Sequence, residues 1–284
     1  MSLSRHGTGI VADLRALVSQ VHPVFMLPPI AASWFGSMLA GRFSLPIGAL
    51  HMTAIFCAVY TAHVKDGYID FYRRDEDDDH PLTVRGCRLA LVGATAAFFL
   101  CLAALWWLVD PWAALITLPG WLIGYHHAPQ LDMHPVTATS GYPLGIAFAI
   151  IGGYYVQTAT IAPIAIAFAI VFLTLLSGVK VIDDAQDYNY DRSISKRTVA
   201  VVLGPRGARR TAYGLMGAGL LLVLGLIGLR LFPPSSALAV LVFGAVAAVS
   251  RRADPELSTM LLIRGSYLFL ALLLVAVWFR PLGA

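Results

Sequence analysis

Three aspartates recur at every fourth residue in the stretch VIDDAQDYNYDRSISKRTVAVVLG: Asp183, Asp187 and Asp191. On a continuous helix, residues four apart share a face, so this spacing predicts a stripe of carboxylates. Like charges stacked this way repel one another, and each is costly at the edge of a bilayer. Such a stripe makes physical sense when something positive lies against it, and hard divalent cations with oxygen ligands are the natural candidates. Lys196 and Arg197 follow within two turns, so acidic and basic groups sit together at one boundary. Carboxylates holding Mg²⁺ with cations alongside suit a bound phosphate or diphosphate. A second stretch, KDGYIDFYRRDEDDDHPLT, repeats the arrangement with Asp66 and Asp70 four apart. A charge cluster is more often a solvated loop, and the run Asp77–Asp79 reads that way. The paired aspartates do not, because each pair stands where an apolar segment ends.

The elements that position these residues are membrane helices. Of 284 residues, 58% are hydrophobic and 13% charged, with a mean hydropathy of +0.74. Ordinary globular chains carry about 25% charged residues, and the polar loops here are too short to enclose a core. The apolar residues fall into blocks of roughly 16 to 23, long enough to cross a bilayer. Nine spans are predicted: Val21–Ala40, Pro46–Val64, Leu89–Val109, Trp112–Tyr125, Gly141–Thr158, Ile161–Val181, Thr211–Leu231, Ala237–Val249 and Leu257–Phe279. A weakly amphipathic segment, Ile10–Gln20, precedes them and is expected to lie on the membrane surface. The reading is an all-α polytopic membrane protein in which residues 1–284 form a single integral membrane domain.

Net charge +4 and an isoelectric point of about 9.0 record basic loops on one side of the membrane. With the N-terminus inside, most arginines and lysines fall in inside loops, and Arg42, Arg230 and Arg280 are left outside. The bias predicts a cytoplasmic N-terminus and puts both acidic stretches on the cytoplasmic face. No basic run is interleaved with aromatics as single-stranded nucleic acid would require, so no nucleic-acid partner is expected. The three cysteines have no metal-binding spacing. The first twenty residues lack the apolar core and cleavage site of a signal peptide.

At the acidic stretches the sequence resembles the UbiA superfamily of intramembrane prenyltransferases. DGYID (66–70) looks like the start of that family's first aspartate motif. DDAQDYNYDRSISKRTVAVVLG (183–204) resembles its second motif and the basic segment after it, and is the most specific match. HPVFMLPP, YHHAPQL and GGYYVQT are similar to further family segments, the last to one in naphthoquinone-pathway members. The departures lie in the first motif and its surroundings. Asp66 replaces Asn, Gly67 replaces Asp, the third carboxylate would fall at Arg74 unless Asp75 is shifted one place, and His22 and His80 stand in place of Arg.

The resemblance implies nine helices around a central cavity and Mg²⁺-dependent transfer of a polyprenyl group from its diphosphate to a lipophilic acceptor. It implies Asp66, Asp70, Asp183, Asp187 and Asp191 as the metal site, with Asp66, Asp70, Asp187 and Asp191 carrying catalysis. Lys180, Lys196, Arg197, Arg73 and Arg74 are the implied diphosphate contacts. Tyr68, Tyr125 and Tyr154 are candidates for the cavity wall, where their π faces would stabilise an allylic cation. An aromatic quinone precursor is the favoured acceptor; a non-aromatic lipid, a carotenoid end and intramolecular cyclisation are the alternatives. A cation-coupled transporter would also use membrane carboxylates, but no predicted span carries an acid at its middle.

Overall fold

A computed structural model describes residues 2–281, and among these every regular element is helical. All nine predicted spans fall on helices. They are α2 (Pro23–Leu39), α3 (Leu45–Ile69), α4 (Val84–Leu108), α5 (Pro111–His126), α6 (Pro135–Thr158), α7 (Pro163–Asp184), α9 (Val199–Gly228), α10 (Ala237–Ser250) and α11 (Pro255–Phe279). Two shorter helices complete the order, α1 (Ile10–Val18) and α8 (Tyr188–Ser193). Six helices among the described residues are long and apolar enough to span a bilayer alone, or seven if α1 and α2 count as one span bent by 68°. The protein is an integral membrane protein.

The helix ends follow local chemistry. Asp110, Thr83, Thr198 and Asp254 each accept a bond from a backbone N–H in the first turn of the helix that follows. Thr198 starts α9 well before the predicted Thr211, since it caps a short helical run ahead of the apolar block. That run breaks at Gly204, whose φ of 71° only glycine adopts without strain, and Pro205 opens the long part of the helix. Pro28 and Pro29 sit inside α2 without ending it.

The packing divides into two compact units. The first comprises Met1–Asp132 and Phe148–Ile161, the second Met133–Ala147 and Ala162–Ala284, so α6 contributes to both. In the first unit, α3 packs on α2, α4 and α5. Gly153 of α6 lies so close to the Ser33 carbonyl that a Cβ would collide with it. The buried His51 ring meets the Ser33 hydroxyl at 2.7 Å, a polar clasp between α2 and α3. In the second unit α7 and α9 form the main pair, and a Cβ on Gly178 would strike the Ala212 carbonyl and Met216. Small residues that admit a neighbouring backbone are how membrane helices pack without a hydrophobic driving force between them.

Candidate active site

In the first unit the acidic residues occupy the end of α3. Asp66 is half-buried in the last turns of the helix. From Asp70 to Arg74 the backbone widens into a π-turn, and the N–H of Asp75 donates to the Asp70 carbonyl five residues back. Such turns insert one residue into a helix and recur at functional sites. Here the turn sends Arg74 inward: its Nη1 lies 3.2 Å from Asp70 Oδ1 and 2.6 Å from Asp132 Oδ2. Asp132 is buried, and its second oxygen has no hydrogen-bond partner. Asp75 follows with a left-handed φ of 55° and points to solvent, as do Asp77–Asp79. Asp79 pairs with Arg5 and His6 at the surface.

The neighbouring groups sort themselves. Arg73 is exposed, unlike Arg74. The Lys65 ammonium donates to the Tyr125 carbonyl and to Gln130 Oε1, and sits 4.2 Å from the centroid of the Tyr125 ring. Tyr68 packs against Tyr72, which donates to the Leu82 carbonyl. His80 is buried with Nε2 3.3 Å from Cys87 Sγ, and burial lowers its pKa, which disfavours the charged ring. His80 is therefore a poorer source of positive charge than an Arg would be there. Tyr154 lies near the far end of α6, about 28 Å by helical rise from Pro135. Its neighbour Tyr155 is buried and donates to Asp110 Oδ2 at 2.9 Å.

In the second unit the expected single-face stripe does not form. α7 ends at Asp184, residues 185–187 turn, and α8 begins at Tyr188. Asp183 therefore lies in the last turn of one helix, Asp187 stands at the N-cap of another, and Asp191 lies inside that second helix. Breaking the helix relieves the like-charge stacking that a continuous one would impose. Lys180 is not presented freely: its Nζ lies 2.9 Å from Asp183 Oδ2 and 2.7 Å from Asp184 Oδ1.

Asp187 is exposed to solvent, yet its carboxyl is raised above the ordinary range. Withdrawal from water by the surrounding chain is the larger cause, and the negative charges of Asp191 and Asp183 add to it. Asp191 is 1% exposed, and neither carboxylate oxygen has a hydrogen-bond partner. Lys196 Nζ lies 3.2 Å from Asp191 Oδ1, close enough for charge attraction but outside hydrogen-bond geometry. Arg197 is exposed beside it. Gln186 ties this loop to α11 through Thr259 at 2.6 Å.

A buried carboxylate with unsatisfied oxygens is expensive and fits a cation missing from the donor set. Among the described residues no three His, Cys, Asp or Glu side chains converge closely enough to hold a metal by themselves. Neither acidic end by itself is thus a preformed cage. Mg²⁺ does not need one, since it is commonly held by one or two carboxylates plus waters and substrate phosphates. The donors present fit that mode. Two residues were missed by sequence reasoning. Asp184 had a signal, its place four residues after Lys180 on a helix end. Asp132 had none, because only the fold brings it to Arg74.

The chain matches the model of the UbiA prenyltransferase family over residues 26–273. It belongs to that family and is a prenyltransferase. No curated protein matches it. Among solved structures it is similar to digeranylgeranylglyceryl phosphate synthase, at 12% identity and a TM-score of 0.71 over 94% of this chain and 98% of that one. An apo UbiA homologue from Aeropyrum pernix K1 matches at 15% identity and TM-score 0.69, over 90% and 98% of the two chains. A UbiA homologue from Archaeoglobus fulgidus bound to GPP and Mg²⁺ matches at 18% identity and TM-score 0.60, over 94% and 99%. At these identities the likeness speaks to the fold.

Proposed function

We propose that the enzyme transfers a polyprenyl group from its diphosphate to a lipophilic acceptor at the cytoplasmic face, with an aromatic quinone precursor as the acceptor. The observation that carries the metal-dependent chemistry is Asp191, a buried carboxylate with two unsatisfied oxygens beside Lys196. Asp187 and Asp191, with Asp183 and Asp184 at the end of α7, are the proposed Mg²⁺ and diphosphate-facing carboxylates of the second unit; Asp66 and Asp70 are those of the first. When bound, Mg²⁺ supplies positive charge that offsets the charge developing on the leaving diphosphate. The A. fulgidus homologue whose structure is bound to GPP and Mg²⁺ supports Mg²⁺-dependent use of a prenyl diphosphate by family likeness.

The chain's own residues do the rest. Lys196 and the exposed Arg197 contribute donors for phosphate oxygens, and Lys196 is already drawn to that place by Asp191. Lys180 holds the Asp183 and Asp184 carboxylates in position, so its role is orientation more than direct phosphate contact. Arg74 fixes Asp70 in the same way. The carbon–oxygen bond to the diphosphate breaks, the acceptor's carbon or oxygen bonds to the prenyl carbon, and the acceptor loses a proton. Tyr68 is the proposed π face for the allylic cation; the Tyr125 ring already carries the Lys65 ammonium and stacks on Trp121, and Tyr154 lies at the far end of α6.

A second reading is transfer to a glycerol-phosphate lipid, favoured by the likeness to digeranylgeranylglyceryl phosphate synthase. The test is incubation of purified protein with labelled prenyl diphosphates, Mg²⁺ and a panel of aromatic and glycerol-phosphate acceptors, with products identified by mass. Prenylated aromatic product supports the first reading, and prenylated glycerol phosphate replaces it with the second. Rapid hydrocarbon release without any acceptor would point to cyclisation and overturn both.

A further inference from the structure

The second unit carries a cluster of arginines that the proposed reaction does not use. Breaking α9 at Gly204 starts a new helix at Pro205, and Arg206, Arg209 and Arg210 fall in its first two turns. That is the wrong end for cations, because a helix N-terminus is itself positive. Arg251 and Arg252 come from the turn after α10. The fold brings the two groups together on one tyrosine: the Arg209 and Arg251 guanidinium carbons lie 5.9 and 5.4 Å from the Tyr213 ring centroid. The ring is held by a 2.8 Å bond between its hydroxyl and Ser250, which is 1% exposed, and Arg209 donates to the Arg251 carbonyl.

None of these five arginines makes an ion pair among the described residues. The adjacent Asp254 accepts the Leu257 N–H to cap α11, and neither it nor the exposed Glu256 pairs with an arginine among the described residues. Guanidinium groups gathered without an ion pair leave an electrostatic cost that an anion would reduce. Exposed apolar side chains flank the cluster: Leu203 at 55%, Val249 at 60% and Leu257 at 39% exposure. Cations edged by lipid-facing apolar groups at a helix end suit a ligand with a charged head and an acyl tail.

We propose that Arg206, Arg209, Arg210, Arg251 and Arg252 form a binding site for the phosphate headgroup of an anionic phospholipid, with Arg209 and Arg251 on the Tyr213 platform at its centre. The proposal does not depend on the assignment of the acidic residues, since none of these arginines is given a part in the reaction.

The test is native mass spectrometry of the full-length protein in detergent with equimolar dioleoyl phosphatidylglycerol and dioleoyl phosphatidylcholine. Wild type should retain phosphatidylglycerol in preference, and its unfolding temperature should rise with that lipid alone. Arg209→Gln with Arg251→Gln should lose roughly fivefold of the preference per arginine removed. Arg209→Lys with Arg251→Lys should keep most of it, and Arg230→Gln all of it. Should the Arg209→Gln, Arg251→Gln variant fail to fold, Arg206→Gln with Arg252→Gln, off the Tyr213 platform, should show a comparable loss, and undiminished preference there would equally overturn the proposal. Equal retention of the two lipids by wild type, or undiminished preference in a folded glutamine variant, would overturn the proposal. Displacement of phosphatidylglycerol by excess inorganic phosphate would reassign the cluster to a free anion.

Discussion

The two acidic ends differ in how their carboxylates are neutralised. At the end of α3 a cation is built in: Arg74, only 10% exposed, reaches one oxygen each of Asp70 and Asp132, though Asp132 Oδ1 has no hydrogen-bond partner. Between α7 and α8 the counter-charge is incomplete. Lys180 serves Asp183 and Asp184, while the buried Asp191 has Lys196 near one oxygen and a hydrogen-bond partner on neither. A guanidinium is a permanent, directional partner; an orphaned carboxylate waits for a mobile one. The difference predicts that the second region depends more steeply on added metal, and the first more on its own arginine.

The largest effect should come from Asp191. Asp191→Asn removes charge at nearly constant shape, and prenyl transfer should fall by two orders of magnitude or roughly 3 kcal/mol of transition-state stabilisation. Without Mg²⁺ the variant should unfold no earlier than wild type, since a buried carboxylate with orphaned oxygens is itself a cost. Thermal unfolding in detergent checks that half of the claim. Asp187→Asn and Asp70→Asn follow, each losing about tenfold in turnover. If these carboxylates serve one metal-bound diphosphate, the double variant should lose less than the product of the single losses. Full multiplicativity would mean that the two regions act independently.

Arg74→Gln inverts the contrast. It leaves Asp70 and the buried Asp132 without their cation, and stability should drop by roughly 3 kcal/mol, seen as earlier thermal unfolding. Asp132→Asn should be milder, because Arg74 keeps Asp70. The smallest effects belong to Asp78→Asn and Asp79→Asn in the exposed run. Asp79 pairs with Arg5 and His6 in water, where an ion pair contributes about 0 to 1 kcal/mol, so turnover should stay near wild type.

Much of this was legible in the sequence because it rests on composition and local spacing. Blocks of apolar residues must be helices in a bilayer, so each predicted span landed on one. The Asp66/Asp70 and Asp187/Asp191 spacings marked both helix ends. The features that escaped depend on tertiary packing or on backbone breaks with weak local signals. The expected stripe assumed one helix through Asp183, Asp187 and Asp191, whereas the chain turns at 185–187. Nothing local announces the π-turn at Asp70–Arg74 or says which of Arg73 and Arg74 points inward. Asp132 is far from Arg74 in the chain, and only the packing of α3 beside the end of α5 joins them. Lys180 looked like a diphosphate contact by resemblance, yet its own helix supplies two carboxylates within reach.

On the proposed function, the loop between α7 and α8 takes its missing cation from Mg²⁺ bound with the substrate. The most direct measurement is turnover of labelled geranyl diphosphate with a reactive acceptor across a Mg²⁺ titration, for wild type, Asp191→Asn and Arg74→Gln. The account predicts that Asp191→Asn needs far more Mg²⁺ for any activity and never approaches the wild-type maximum. Arg74→Gln should keep a near-normal Mg²⁺ midpoint, whatever its loss of stability. A wild-type Mg²⁺ curve in Asp191→Asn would contradict the account and make Asp191 a structural partner of Lys196.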